Sequence, residues 1–148
     1  MSDVSASVLF CDDVRQELGG KMSVMGLYRG YIGIADDVPY LPKLVVLVML
    51  DYARDLQGAA TSIRLTDQST VLAAVEFELG AAPPLAQGAA ALGAPDRVYA
   101  NIPVELVGFQ AKHGSQLVVQ LAVADFQFTS DPLFVVRQSP DDLASAAG

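Results

Sequence analysis

The chain is poor in the side chains on which most enzyme and cofactor chemistry depends. It has one cysteine (Cys11), one histidine (His113) and no tryptophan among 148 residues. A lone cysteine excludes an intramolecular disulfide, and with a lone histidine it cannot assemble the nitrogen and sulfur ligands of a zinc site. There is no Gly-x-Ser-x-Gly elbow for a serine nucleophile and no phosphate-binding glycine motif. The missing tryptophan removes the usual platform for a sugar, and so weakens a glycosidase reading, which also needs two carboxyls at a set separation. Basic residues are scarce too: 9 Lys and Arg against 17 Asp and Glu, a net charge of −8. A sequence-independent nucleic-acid binder needs clustered cations to displace counterions, so no nucleic-acid partner is expected.

Long apolar runs are also missing. The longest, Leu44 to Leu50, is seven residues between Lys43 and Asp51, whereas a membrane-spanning helix needs about 20. No membrane span is expected. The start, Met1-Ser2-Asp3-Val4-Ser5, carries neither the basic region nor the apolar stretch of a secretory signal. The expected location is the cytoplasm, or a virion if the chain is phage-encoded.

What the chain does have is apolar mass: 52% hydrophobic residues and a mean hydropathy of +0.37. A chain of this length can bury about two-thirds of its unfolded surface in one core, without disulfide or metal. The acids hint at architecture, because 13 of the 17 are Asp and only Glu17, Glu76, Glu78 and Glu105 are Glu. Asp bonds to nearby backbone and gathers in turns, whereas Glu favours helix interiors.

The apolar residues alternate as strands do. In Arg97 to Leu106 one face is Val98, Ala100, Ile102, Val104 and Leu106, and Pro103 on the other predicts an edge or bulged strand. Thr61, Ile63 and Leu65, then Val71, Ala73, Val75, Phe77 and Leu79, predict a hairpin. Both apolar sets are odd-numbered, so facing numbers must sum to an even value. The odd-length loop Asp67-Gln68-Ser69 meets this by pairing Leu65 with Val71 and Ile63 with Ala73. Leu117, Val119, Leu121 and Val123 predict a strand after the turn at His113-Gly114, and Leu133 to Gln138 a last strand entered through Asp131-Pro132.

Leu44 to Leu50 does not alternate and reads as a central strand buried on both faces. Val4, Ala6, Val8 and Phe10 alternate near the start. Gly19-Gly20 then signals a two-residue hairpin, and Met22 to Ile34 follows as a long, broken strand. Asp12 to Leu18 is open between strand and a short helical turn capped by Asp12. The expected fold is all-β, a two-sheet antiparallel β-sandwich of about eight strands. It occupies residues 1–138 as one domain, with 139–148 a flexible tail. Residues 80–95 carry no charge, and their Pro and Gly residues predict a long loop without regular structure, either a mobile inter-sheet connection or an arm that docks on a partner.

Candidate sites weigh little under this reading. His113 reads as an exposed turn residue rather than a base or ligand, and Cys11 as a buried structural thiol, since only Arg15 and Lys21 lie near it in sequence to depress its pKa. Asp12-Asp13, Asp36-Asp37, Asp51, Asp55, Asp125 and Asp131 could feed a calcium site built from loops. No Asp-x-Asp-x-Asp-Gly run supports one, and neighbours on a strand face opposite ways. Glu76 and Glu78 read as the wet side of a strand. Tyr28-Arg29-Gly30-Tyr31 and Tyr40 have the composition of an interface rim, with core packing the simpler reading, and Phe126 and Phe128 share one strand face. No catalytic, cofactor-binding or metal-ligating residue is assigned, and no cofactor is expected.

One likeness is carried by particular residues. Phe10-Cys11-Asp12-Asp13-Val14-Arg15-Gln16-Glu17 followed by Gly20-Lys21-Met22-Ser23-Val24-Met25-Gly26-Leu27-Tyr28 resembles the opening of a family of small bacterial and prophage-encoded proteins of unknown function. Leu41-Pro42-Lys43 before an apolar strand and the closing Pro132-Leu133-Phe134-Val135-Val136 are similar in kind. The likeness covers the first fifty residues well and the C-terminal strands loosely, and it does not extend to 80–95. It implies a β-sandwich and a phage context, and it brings no catalytic residues. The function expected is therefore non-enzymatic assembly or binding, as a phage- or prophage-associated structural component, through a protein partner or self-association. The alternative is a calcium- or small-ligand-binding sandwich module.

Overall fold

A computed structural model describes residues 3–35, 40–81, 86–139 and 141–142. Among these residues ten strands form two sheets that pack face to face, the all-β sandwich that the alternation predicts. In chain order they are β1 (Val4–Gln16), β2 (Met22–Tyr28), β3 (Tyr31–Ile34), β4 (Tyr40–Ala53), β5 (Ala60–Asp67), β6 (Thr70–Glu78), β7 (Arg97–Gln110), β8 (Gln116–Val123), β9 (Phe126–Thr129) and β10 (Leu133–Arg137). The first sheet has the order β2-β1-β4-β7, and the second β3-β10-β8-β5-β6 with β9 also on β8. The count exceeds eight because the two four-residue strands β3 and β9 are too short to show a period.

The core lies between the even-numbered face of the first sheet and the odd-numbered face of β5 and β8. Val46, Val48, Leu50 and Val104 from one side and Ile63, Leu65, Val119 and Leu121 from the other are each less than a tenth exposed. Burying one such side chain is worth about 1.5–3 kcal/mol. β4 is central, antiparallel to β1 on one side and to β7 on the other. Val45 and Leu47, on its second face, are buried as well, as the unbroken apolar run predicts. β7 ends the sheet, and an edge strand is where the missing donor of Pro103 is tolerated.

Several details refine or correct the sequence reading. Of the two readings open for Asp12 to Leu18, the strand is the one that Asp12 to Gln16 adopts. The hairpin that follows turns through three residues, Leu18-Gly19-Gly20, with Glu17 N–H donating to Lys21 O at 2.7 Å. The β5–β6 hairpin does not use the odd-length loop. Asp67 faces Thr70 across a two-residue turn, and a register shift at Leu65/Thr66 restores the even-sum pairing, so that Leu65 faces Ala73 and Ile63 faces Val75. A bulge thus does what the loop was expected to do. Val71 and Val75 are 47% and 40% exposed, because β6 is an edge strand.

Residues 86–95 are not wholly irregular. Gln87–Ala91 is a short helix, α1, made by alanine's high propensity. Gly93 (φ +79°) closes it, with Gly93 N–H donating to Ala90 O and Ala94 N–H to Ala89 O, both at 3.0 Å. That pair of bonds is the Schellman cap, so this glycine ends a helix instead of preventing one. The expected tail lies outside the described residues from 143 on, as does residue 140. What is described of it is a turn in which Ser139 Oγ donates to Asp142 Oδ2 at 2.7 Å.

One turn stores removable strain. Ala124, in the β8–β9 turn, has φ +48°, a region that costs a residue with a Cβ about 1–2 kcal/mol. Ala124→Gly is expected to raise stability by about 1 kcal/mol, read as a higher urea midpoint with unchanged slope.

Candidate functional site

The sequence brings charge and apolar surface together in two places. The first is the outer face of the first sheet. Asp13 lies two residues beyond the last β1–β4 pair, Cys11 with Val45, and Glu105 of β7 faces Val45, two residues along β4 from Lys43. Lys43 Nζ donates to Asp13 Oδ1 at 2.6 Å and lies 3.1 Å from Glu105 Oε1, while Arg15 Nε stands 3.8 Å from Asp13 Oδ2. The hydrogen bond from Lys43 holds the Asp13 carboxyl below its ordinary value, and the bonds to Asp13 and Glu105 hold the Lys43 ammonium above its own. Near Arg97, Arg97 Nε donates to Asp51 Oδ1, and its NH2 group reaches the Asp51 and Asp3 carbonyls at 3.1 Å. Arg97 therefore ties the ends of β1, β4 and β7 together.

A depressed carboxyl pKa contributes stability above the usual carboxylate range, and that contribution is lost as pH falls through the folded value. Asp13→Asn should accordingly lower the urea midpoint at pH 7. The gap between variant and parent should close as the pH is taken down through that range.

Beneath these charges lies Cys11, fully buried, its thiol donating to Val45 O at 3.6 Å. Burial, and then the Asp12 charge, push its pKa up. That is the opposite of what a nucleophile needs.

The second place is a seam between the sheets. β2 pairs with β1 over Phe10–Gln16 only. At Arg29-Gly30 (Gly30 φ +77°) the chain leaves the first sheet, and β3 joins the second by pairing parallel to β10. Such a change of sheet turns a corner of the sandwich. It also vacates the places beside Ser5–Leu9, which have no strand on that side among the described residues. Across the gap stands β9, paired among the described residues with β8 alone. Asp131-Pro132 breaks the strand between β9 and β10, and there Ser130 Oγ and N–H bond Val119 N–H and O, both at 2.9 Å.

The resulting groove has a volume of about 440 Å³. Ala6, Val8 and Phe10 line one wall and Phe128 and Leu133 the other, with Arg29 and Asp131 among the groups at the mouth. Over the saddle of Gly30 and Pro132 it meets a shallower apolar surface carrying Tyr31 and Phe134, which face each other across β3 and β10 and are 49% and 41% exposed. Tyr28 closes the upper end. Its hydroxyl donates to Asp12 Oδ1, and burial and that carboxylate together push its pKa up to about 12. Asp12 lies across Gly26 (φ +66°), where a Cβ would collide with it.

The residues singled out from sequence scatter over the fold. Asp12 and Asp13 point to opposite faces, one toward Tyr28 and one toward Lys43. Asp51 pairs with Arg97, Asp55 sits in a 3₁₀ turn (Arg54–Leu56), Asp125 in the β8–β9 turn, and Glu76 and Glu78 are exposed on β6. Asp36 and Asp37 lie outside the described residues, as does the Tyr40 side chain. Among the described residues no three His, Cys, Asp or Glu groups gather as a metal site would require. His113 is an exposed turn residue whose Nδ1 accepts from Arg137 N–H at 3.0 Å. No described helix is long and apolar enough to cross a membrane. Sequence reasoning reached Tyr28-Arg29-Gly30-Tyr31 for its composition but missed the seam, whose only local signal is the glycine that interrupts the alternation. A scan against protein-family models finds no match, and no curated protein matches the sequence.

Proposed function

We propose that the chain is a non-enzymatic assembly or binding protein that works by engaging a protein partner. The observation that carries this is the coincidence of a strand segment, Ser5–Leu9, with one edge unpaired among the described residues, an apolar groove and the exposed Tyr31 and Phe134 beside it. Contiguous apolar surface next to free backbone groups is a binding feature in a soluble domain. The resemblance of residues 10–28 to small prophage-encoded proteins adds a context: a phage- or prophage-associated structural component, in the cytoplasm or the virion.

The test is co-expression with the products of neighbouring genes, followed by light scattering on the purified material. A stable complex or oligomer heavier than the 15.6 kDa chain supports the proposal. A strictly monomeric chain in every combination contradicts it. Deleting residues 81–94 should then weaken assembly more than folding, since Leu92 is 90% exposed and every described residue from 86 to 95 except Ala89 is exposed.

A further inference from the structure

We infer that the vacated edge of β1 accepts an extended, basic segment of a partner chain as an added strand of the first sheet. The inference deepens the proposal above and rests on it. The change of sheet at Gly30 leaves Ser5–Leu9, among the described residues, with a strand on one side only. Main-chain donors and acceptors along such an edge are best satisfied by another main chain, and a strand does this with specificity set by alternate side chains. Five residues at about 3.3 Å each give an edge of about 17 Å, enough for a short strand.

The groove fits such an occupant better than it fits a compact ligand. It follows β1 from Ala6 to Phe10, and its floor is core: Val8 and Phe10 on one side, Phe128 and Leu133 on the other. Every second side chain of an added strand would point down between them, and the rest would face out. At the mouth Arg29 and Asp131 offset each other, so the long-range field is that of the whole chain, −8. That field favours a partner flanked by Lys or Arg and opposes a second copy of this chain.

The experiment selects random heptapeptides on the immobilised full chain and measures the enriched peptides in solution against three proteins. These are the parent, Val8→Pro, which removes a backbone donor from the edge, and Asp131→Lys, which reverses an exposed charge at the mouth. The expected result is enrichment of peptides with apolar residues at alternate positions and Lys or Arg at their ends. They should bind at least ten-fold more weakly to Val8→Pro, several-fold more weakly to Asp131→Lys, and more weakly as salt is raised. If Val8→Pro does not fold, Asp131→Lys and the salt dependence carry the test, because Asp131 is exposed.

No enrichment, or equal binding to parent and Asp131→Lys at all salt concentrations, overturns the inference. Self-association that Asp131→Lys strengthens overturns it in favour of a second copy. A complex with a neighbouring gene product that ignores both variants overturns strand addition while leaving the assembly function standing.

Discussion

Leu121→Ala is expected to destabilise the fold by about 2–5 kcal/mol, the range for large-to-small changes in a packed core. Leu121 is 2% exposed, in β8 between β5 and β9, with its side chain among the core residues. A domain of this size is stable by about 5–15 kcal/mol, so the loss is a large part of the whole. Gln120 precedes it on the same strand and is exposed, and Gln120→Ala should change stability by no more than about 0.5 kcal/mol. Urea unfolding of both variants reads the period-two packing directly. Equal effects at the two positions would mean that β8 is not a strand with one face in the core.

Gly26→Ala is expected to cost about 1–2 kcal/mol, because φ is +66° there and a Cβ is disfavoured in that region. The added Cβ also displaces the Asp12 carboxylate, and with it the acceptor of the Tyr28 hydroxyl. In the parent, burial first and Asp12 second raise Tyr28 from 10.0 to about 12. A group whose folded pKa is raised stabilises the fold below its ordinary value. That contribution disappears as pH climbs through the folded one, so the parent loses it between 10.0 and about 12. In Gly26→Ala the phenol should ionise below about 12 yet still above 10.0, since burial remains. Ultraviolet titration of the parent, Gly26→Ala and Tyr28→Phe isolates this step. An unchanged Tyr28 transition in Gly26→Ala would show that Asp12 does not hold the phenol.

The parts of the fold that were legible in sequence are those fixed by side-chain burial along one strand. Leu44 to Leu50 announces a central strand because no polar residue interrupts it, and Val98 to Leu106 announces a half-buried one because every second residue is apolar. Pro103 marks an edge because of what it cannot donate. The register of β5 and β6 was only half legible: parity followed from the odd-numbered apolar sets, but a bulge at Leu65/Thr66 and a shorter turn satisfy parity as well as a longer loop does. α1 was missed because the same glycine that breaks a helix in its interior caps one at its end.

The site was the least legible part. Asp13, Lys43 and Glu105 meet only through the registers of three strands, which no local pattern reports. The seam arises because β2 and β3 belong to different sheets, and alternation is the same whichever sheet a strand joins. Composition drew notice to Tyr28-Arg29-Gly30-Tyr31, yet its importance is topological: it is where the chain changes sheets and leaves one edge of Ser5–Leu9 without a strand among the described residues.

Backbone amide hydrogen exchange across Ser5–Leu9, in the free chain and with a bound partner or selected peptide, tests the central claim most directly. In the free chain the Ala6 and Val8 amides, which point away from β4, should exchange faster than those of Val45–Val48, which lie in a strand paired on both sides, and they should become protected on binding. Binding that leaves Ser5–Leu9 exchanging as before, while protecting another surface, would contradict the account.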